Sequence, residues 1–302
     1  MSKIEVVEVG PRDGFQSVRC AAPIASELKL EVIDKLIAAG VKHMEYTSFV
    51  SPKAIPQLAD AQTVTEAVMK KYPGLDLFAL VPNLRGAQNA YELGLRKVCY
   101  VVSLSKSHNK ANINRTHEQS LEAYQEIRAA YPDLEVVVDL ATTFGCPFEG
   151  KYNDSQAVVN FLKDYADAGM TTCCLCDTIG IADPAQVKSV IGELKASYPN
   201  LQLQVHFHDT RGLGMVNTMA AIESGVTEVQ SALGGLGGCP FAPGASGNLS
   251  TEDMVWMLNE SGYETGVNFS KILEAAKYQV GVVPGNYSGH HIHIEKETPC
   301  KA

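Results

Sequence analysis

Two histidines two residues apart, His206 and His208, are the densest chemical signal in the chain. On an extended backbone, residues i and i+2 point to the same side. The pair therefore offers two imidazoles on one face, a common start for a metal site. Asp13 stands in an early Gly-Pro-Arg-Asp-Gly-Phe-Gln segment, with Arg12 beside it. Two imidazoles, a carboxylate and an amide would make a mixed site. Hard oxygen donors favour Mg²⁺ or Mn²⁺, imidazole also suits Zn²⁺, and the lack of thiolates argues against structural zinc.

A second signal is the run from Gly234 to Asn248, with six glycines and two prolines in fifteen residues. Long ordered loops in compact domains often act as lids. Cys239 sits on this loop, where a thiol could exchange a proton or act as nucleophile. Cys173, Cys174 and Cys176 include a Cys-x-x-Cys spacing, but it falls inside a strand rather than at a helix start, so they read as core and barrel-lining residues. His290, His291 and His293 read as a solvated tail. The chain has no phosphate-binding loop, no Gly-x-Gly-x-x-Gly after a strand and no Gly-x-Ser-x-Gly elbow. This argues against ATP hydrolysis, dinucleotide binding and serine-hydrolase chemistry.

These residues need elements to hold them. Short β-branched or apolar runs predict eight strands, at 4–9, 41–46, 75–81, 97–103, 134–140, 171–176, 201–206 and 226–233. Longer periodic segments predict helices starting near Ser26, Pro56, Leu84, Thr116, Ser155, Pro184 and Met215, with two more near Thr251 and Asn268. Asp183 before Pro184 marks an N-cap with proline at the first helical position. Strand–helix units without tight hairpins require parallel strands. Eight of them in 302 residues point to an α/β fold, a (β/α)8 TIM barrel with an extra C-terminal helix and tail. An open doubly wound sheet is the runner-up. The expected division is one catalytic barrel over 1–282 and a tail over 283–302 lying outside it. Barrel enzymes place their chemistry after the strands. Arg12, Asp13, Glu45, Asp177, His206, His208 and the glycine loop all fall at such ends.

Composition narrows the partners. The net charge is −9 with no compensating basic run, which argues against nucleic acid. No apolar stretch approaches the ~20 residues of a membrane helix. The N-terminus lacks the pattern of a signal peptide, and eight cysteines, several in apolar segments, suit a reducing cytoplasm.

Taken together, Glu8-Val-Gly-Pro-Arg-Asp-Gly-Phe-Gln16, Thr47-Ser-Phe-Val-Ser-Pro-Lys53, Asp177-Thr-Ile-Gly180, His206-Phe-His-Asp-Thr210 and the loop Gly234–Asn248 with Cys239 resemble the 3-hydroxy-3-methylglutaryl-CoA (HMG-CoA) lyases. These belong to a wider metal-dependent barrel family of lyases, aldolases and Claisen-type synthases. The resemblance runs from about Ile4 to about Tyr278, and the cysteine-bearing loop is its most specific part. It implies Mg²⁺ or Mn²⁺ held by Asp13, His206, His208 and Asn248. It implies Arg12 and Cys239 as catalytic residues, with Glu45 and Asp177 in the polar shell. The implied reaction cleaves a hydroxyacyl-CoA substrate to acetyl-CoA and acetoacetate. In that chemistry the metal acidifies the tertiary hydroxyl, Arg12 stabilises the enolate oxygen, and Cys239 protonates the enolate carbon. His206 or Asp177 accepts the hydroxyl proton, and the sequence leaves that choice open. Arg12, Gln16 and Arg211 are the expected substrate contacts, and a homodimer or higher homo-oligomer the expected assembly.

The chain departs from the lyase pattern at Arg211, where those enzymes carry tyrosine, at Phe15, and at Lys106 within Ser103-Leu-Ser-Lys-Ser-His108. These positions bear on which acyl group is accepted. A lyase for a citramalyl-CoA-like thioester is one alternative. A condensing acyltransferase of the isopropylmalate or homocitrate synthase type is another, although those enzymes carry further C-terminal domains and lack this cysteine loop.

Overall fold

The computed structural model describes residues 2–238 and 247–294. Eight parallel strands close into a barrel: β1 (Glu5–Glu8), β2 (His43–Ser48), β3 (Asp76–Leu80), β4 (Lys97–Ser103), β5 (Glu135–Ala141), β6 (Thr172–Asp177), β7 (Gln202–Phe207) and β8 (Glu228–Ser231). Closure is between β1 and β8, with Glu5 opposite Glu228 and Glu8 opposite Ser231. Strand β8 therefore lies between β1 and β7, and Gln230 pairs with both Val7 and His206.

Around the barrel run α1 (Ser26–Ala38), α2 (Ala61–Lys71), α3 (Leu84–Glu92), α4 (Lys106–Ile113), α5 (His117–Ala130), α6 (Gln156–Asp167), α7 (Pro184–Ser197), α8 (Gly214–Glu223), α9 (Thr251–Glu260) and α10 (Phe269–Val282). The α7 cap forms as expected, with Asp183 accepting from the Gln186 N–H. Pro56 opens only a single 3₁₀ turn, and α2 starts five residues later. Helix α4, unexpected from periodicity, is short and mostly polar, and it is held by the Ser105 cap.

Strand parity sorts the core. On β4 and β5, Val98, Tyr100, Val102, Val136, Val138 and Leu140 pack outward into the helix layer. Cys99 and Val137 face the barrel interior with Val7, Val9, Phe78, Cys174 and Ala232. Alternate residues of a parallel strand thus face a dry interior and a dry helix layer, so apolar side chains fill both. Toward the C-terminal ends of the strands the interior turns polar, with Glu45, Asp139 and His206 buried there, and a second polar group, Gln204 and Glu228, is buried nearer the other end.

Residues 283–294 pack onto the barrel, contrary to their reading as an outlying tail. The Gly289 N–H donates to Gly234 O at 3.0 Å, and Ser288 Oγ donates to Gly235 O at 3.3 Å. The His291 ring lies against Trp256 and Phe269 with Nδ1 on Asp253, while His290 stays exposed. This stretch thereby braces the start of the glycine loop.

Candidate metal and catalytic site

The site begins in the turn after β1. Residues Gly10–Gly14 form one wide helical turn, in which the Asp13 N–H bonds back to Val9 O at 2.7 Å. The turn is tied down by Glu8. Its carboxyl accepts from Gly10 N at 2.7 Å, Leu233 N at 2.9 Å and Thr251 Oγ1 at 2.6 Å. Burial pushes that carboxyl up to about 7 against the pull of these donors.

Arg12 and Asp13 are carried over the barrel mouth by this turn. Arg12 Nη2 donates to Glu45 Oε2 at 2.6 Å, its Nε lies 2.6 Å from Glu45 Oε1, and Nη1 reaches Asp13 Oδ1 at 2.7 Å. Gln16 Nε2 donates to the same Asp13 oxygen at 2.7 Å. Burial disfavours the guanidinium charge, but Glu45 and Asp13 outweigh it and raise Arg12 further above its usual range.

Asp13, His206 and His208 each bring one donor atom into a group no wider than 4.8 Å. Burial pushes the Asp13 carboxyl up, yet Arg12 and the two imidazoles outweigh it and hold the group near 2. Burial lowers both histidines, His208 to about 4, so both are neutral imidazoles at neutral pH. His206 Nδ1 is 3.1 Å from Gln230 Oε1, an outer contact that fixes the ring. Asn248 completes the group. Its Nδ2 donates to Asp13 Oδ2 at 2.7 Å and to Leu236 O at 3.1 Å.

The donor set fits a divalent cation. Asn248 Oδ1 and His208 Nδ1 are buried with no hydrogen-bond partner, an arrangement that is costly unless something else binds them. Gly237 explains the close approach of the chain: a Cβ there would lie 2.4 Å from Asn248 Nδ2. Carboxylate, amide oxygen and neutral imidazole are all donors that a divalent cation takes.

A cavity of about 500 Å³ opens over the group, bordered by Arg12, Asp13, Gln16, His206 and His208 on one side and by Asn83, His108, Asn112 and Arg115 on the other. Asp139, Cys176 and Gln230 also line it. Among these, Asn83, Asn112, Arg115, Asp139 and Gln230 carry no role in the sequence reading. Strand parity, counted up from Val137, is the signal that finds Asp139.

Several expected residues sit elsewhere. Asp177 shares the parity of outward-packed Leu175, and its two oxygens accept from Ile181 N at 2.9 Å and Ala182 N at 3.0 Å, so it shapes its own loop. Burial raises its carboxyl despite these bonds. Arg211 does not border the cavity. Its Nη1 is committed to Ile179 O at 2.7 Å and Gly180 O at 3.1 Å. Lys106 is exposed and also outside the cavity lining, and Phe15 is buried in the core. Cys239 and Cys300 lie outside the described residues.

The HMGL-like family model matches residues 3–278. The hydroxymethylglutaryl-CoA lyase of Bacillus subtilis is 41% identical over 91% of this chain and 92% of its own length. The human mitochondrial hydroxymethylglutaryl-CoA lyase is 38% identical over 91% of this chain and 84% of its own. An HMG-CoA lyase from Acinetobacter baumannii, solved with coenzyme A and 3-methylmalate, superposes with a TM-score of 0.90. That match has 36% identity and covers 99% of this chain and 97% of the other. With a barrel, a polar strand-end site and a match of this length, the chain belongs to the HMGL-like family.

Proposed function

We propose that the chain is a carbon–carbon lyase that cleaves HMG-CoA to acetyl-CoA and acetoacetate. The observation that carries this reading is the buried Asp13–His206–His208–Asn248 group beside the Arg12 guanidinium in one cavity. The names of the relatives and the coenzyme A bound to the Acinetobacter lyase support it. A divalent ion, Mg²⁺ or Mn²⁺, held by those four residues would make the tertiary hydroxyl more acidic.

The chain's own residues account for the rest. Arg12, clamped by Glu45 and Asp13, presents a fixed guanidinium where negative charge develops on the thioester oxygen. Gln16 and Arg12 both hold Asp13, so the carboxylate is oriented before substrate arrives. Neither candidate base is free as placed: Asp177 is committed to backbone N–H groups, and His206 has Nδ1 on Gln230 and its other ring nitrogen in the metal group. Cys239, on the glycine loop, is assigned the protonation of the enolate carbon. Exposed Trp256, Val280 and Val282 on α9 and α10 support a homodimer or higher homo-oligomer. Free thiols at all six cysteines of the described residues suit the cytoplasm, and no described helix is long and apolar enough to cross a membrane.

The 3-methylmalate bound to the Acinetobacter lyase favours a second reading, a related hydroxyacyl thioester as substrate. Metal-loaded enzyme incubated with a panel of hydroxyacyl-CoA thioesters, with products identified by mass, decides between them. Equal amounts of acetyl-CoA and acetoacetate from HMG-CoA are expected. Faster cleavage of another thioester moves the substrate, and no cleavage of any removes the reading.

A further inference from the structure

Asp139 is the one acidic residue bordering the cavity, among the described residues, that the account above leaves without work. It lies on β5 two residues above interior Val137 and is only 4% exposed. Its Oδ1 is fully enclosed and has no hydrogen-bond partner.

The groups facing it come from every side of the barrel floor. Arg12 and Asp13 come from the turn after β1, Glu45 from β2, Cys99 from β4, and Cys174 and Cys176 from β6. Glu45, Cys99 and Asp139 bring one atom each within 4.8 Å of one another. The nearest donors are already engaged. Arg12 gives Nη2 to Glu45 and Nη1 to Asp13, its Nε lies in ion-pair contact with Glu45 Oε1, and the Cys99 S–H points to Glu45 Oε1 at 2.9 Å. A second cation among these three residues is disfavoured, because the Arg12 guanidinium already serves as counter-charge to Glu45. Two carboxyl groups this close, with one guanidinium bound to the first, leave the second to carry a proton.

We infer that Asp139 is a neutral carboxylic acid on the cavity floor and that it donates its hydrogen to an oxygen of the bound acyl group, beside Arg12. The inference rests on the acyl-thioester reading above for its acceptor, though not for its proton. Burial, followed by the nearby Glu45 charge, pushes the carboxyl up to about 8, which agrees with the geometry. A buried acid kept neutral beside a developing oxyanion acts as a hydrogen-bond donor, and removing one such donor costs ~10²–10³ in kcat.

The test uses metal-loaded protein and three forms: wild type, Asp139→Asn and Asp139→Leu. Asparagine keeps an N–H donor at every pH, and leucine keeps the volume without a donor. For HMG-CoA cleavage, the leucine form should lose ~10²-fold in kcat with KM changed by less than about threefold. The wild type should lose kcat on the alkaline side, in a fall centred near 8, and the asparagine form should keep at least about a third of kcat at neutral pH and lack that fall. A leucine form with wild-type kcat, or an asparagine form that retains the alkaline fall, overturns the proposal. An infrared difference spectrum between wild type and the asparagine form at neutral pH needs no turnover. The carbonyl stretch of a protonated carboxyl should appear in the wild type alone, and its absence overturns the proposal. If the band is present and no thioester is cleaved, the neutral acid stands and the function reading is what falls.

Discussion

Asn248 donates its side-chain N–H to Asp13 Oδ2 at 2.7 Å across 235 residues of sequence. The bond orients the amide so that its buried Oδ1 faces no protein donor and is left for a cation. Asn248→Ala should weaken Mn²⁺ binding by about 10–100-fold, read by titration calorimetry, with the fold retained. Unchanged Mn²⁺ affinity would remove Asn248 from the metal group.

Arg12→Lys keeps a positive charge but cannot bridge Glu45 and Asp13 at once. Steady-state kinetics on HMG-CoA should show kcat lowered by ~10²-fold or more, with a much smaller change in KM. Near-normal turnover would contradict the assigned role.

Arg211 holds the carbonyls of Ile179 and Gly180. Arg211→Tyr should lower unfolding stability by about 1–2 kcal/mol in denaturant titrations. It should leave the ratios of kcat/KM across a thioester panel within about twofold. A reordered panel would return Arg211 to the specificity determinants.

Much of this architecture is legible in the sequence, because the strand period of two and the caps of the helices are local signals. The same period places His206 and His208 on one face, and their position at the C-terminal end of β7 makes them site residues. What escapes a linear reading is long-range. Parity relative to the core, not nearness to a strand end, decides that Asp139 enters the cavity and Asp177 does not. The Glu8 contacts to Leu233 and Thr251, the Gln230 contact to His206 and the seating of Ser288 and Gly289 on the glycine loop join segments far apart in sequence. Arg211 misleads for a related reason: a charge after a strand end looks like a ligand contact until its carbonyl partners are seen.

His108 links the site wall to pH. It is buried with Nδ1 2.7 Å from Ser103 Oγ, and burial lowers it from 6.5 to about 4. Below 6.5 the unfolded chain takes up a proton that the folded chain refuses until about pH 4. Stability is therefore full above that window and is lost as pH falls through it. Between pH ~7.5 and pH ~4.5 the wild type should lose on the order of 2–3 kcal/mol more than His108→Gln does, by denaturant unfolding. Equal losses would show that His108 takes up its proton in the fold as readily as in the unfolded chain.

The most direct measurement of the central claim is product formation from HMG-CoA by protein stripped of metal with a chelator and then reloaded. With Mg²⁺ or Mn²⁺ restored, acetyl-CoA and acetoacetate should appear in equal amounts. The stripped wild type, and Asp13→Ala with the ion restored, should yield neither at a comparable rate. Cleavage that persists undiminished in the stripped protein, or that proceeds at the wild-type rate in Asp13→Ala, would contradict it.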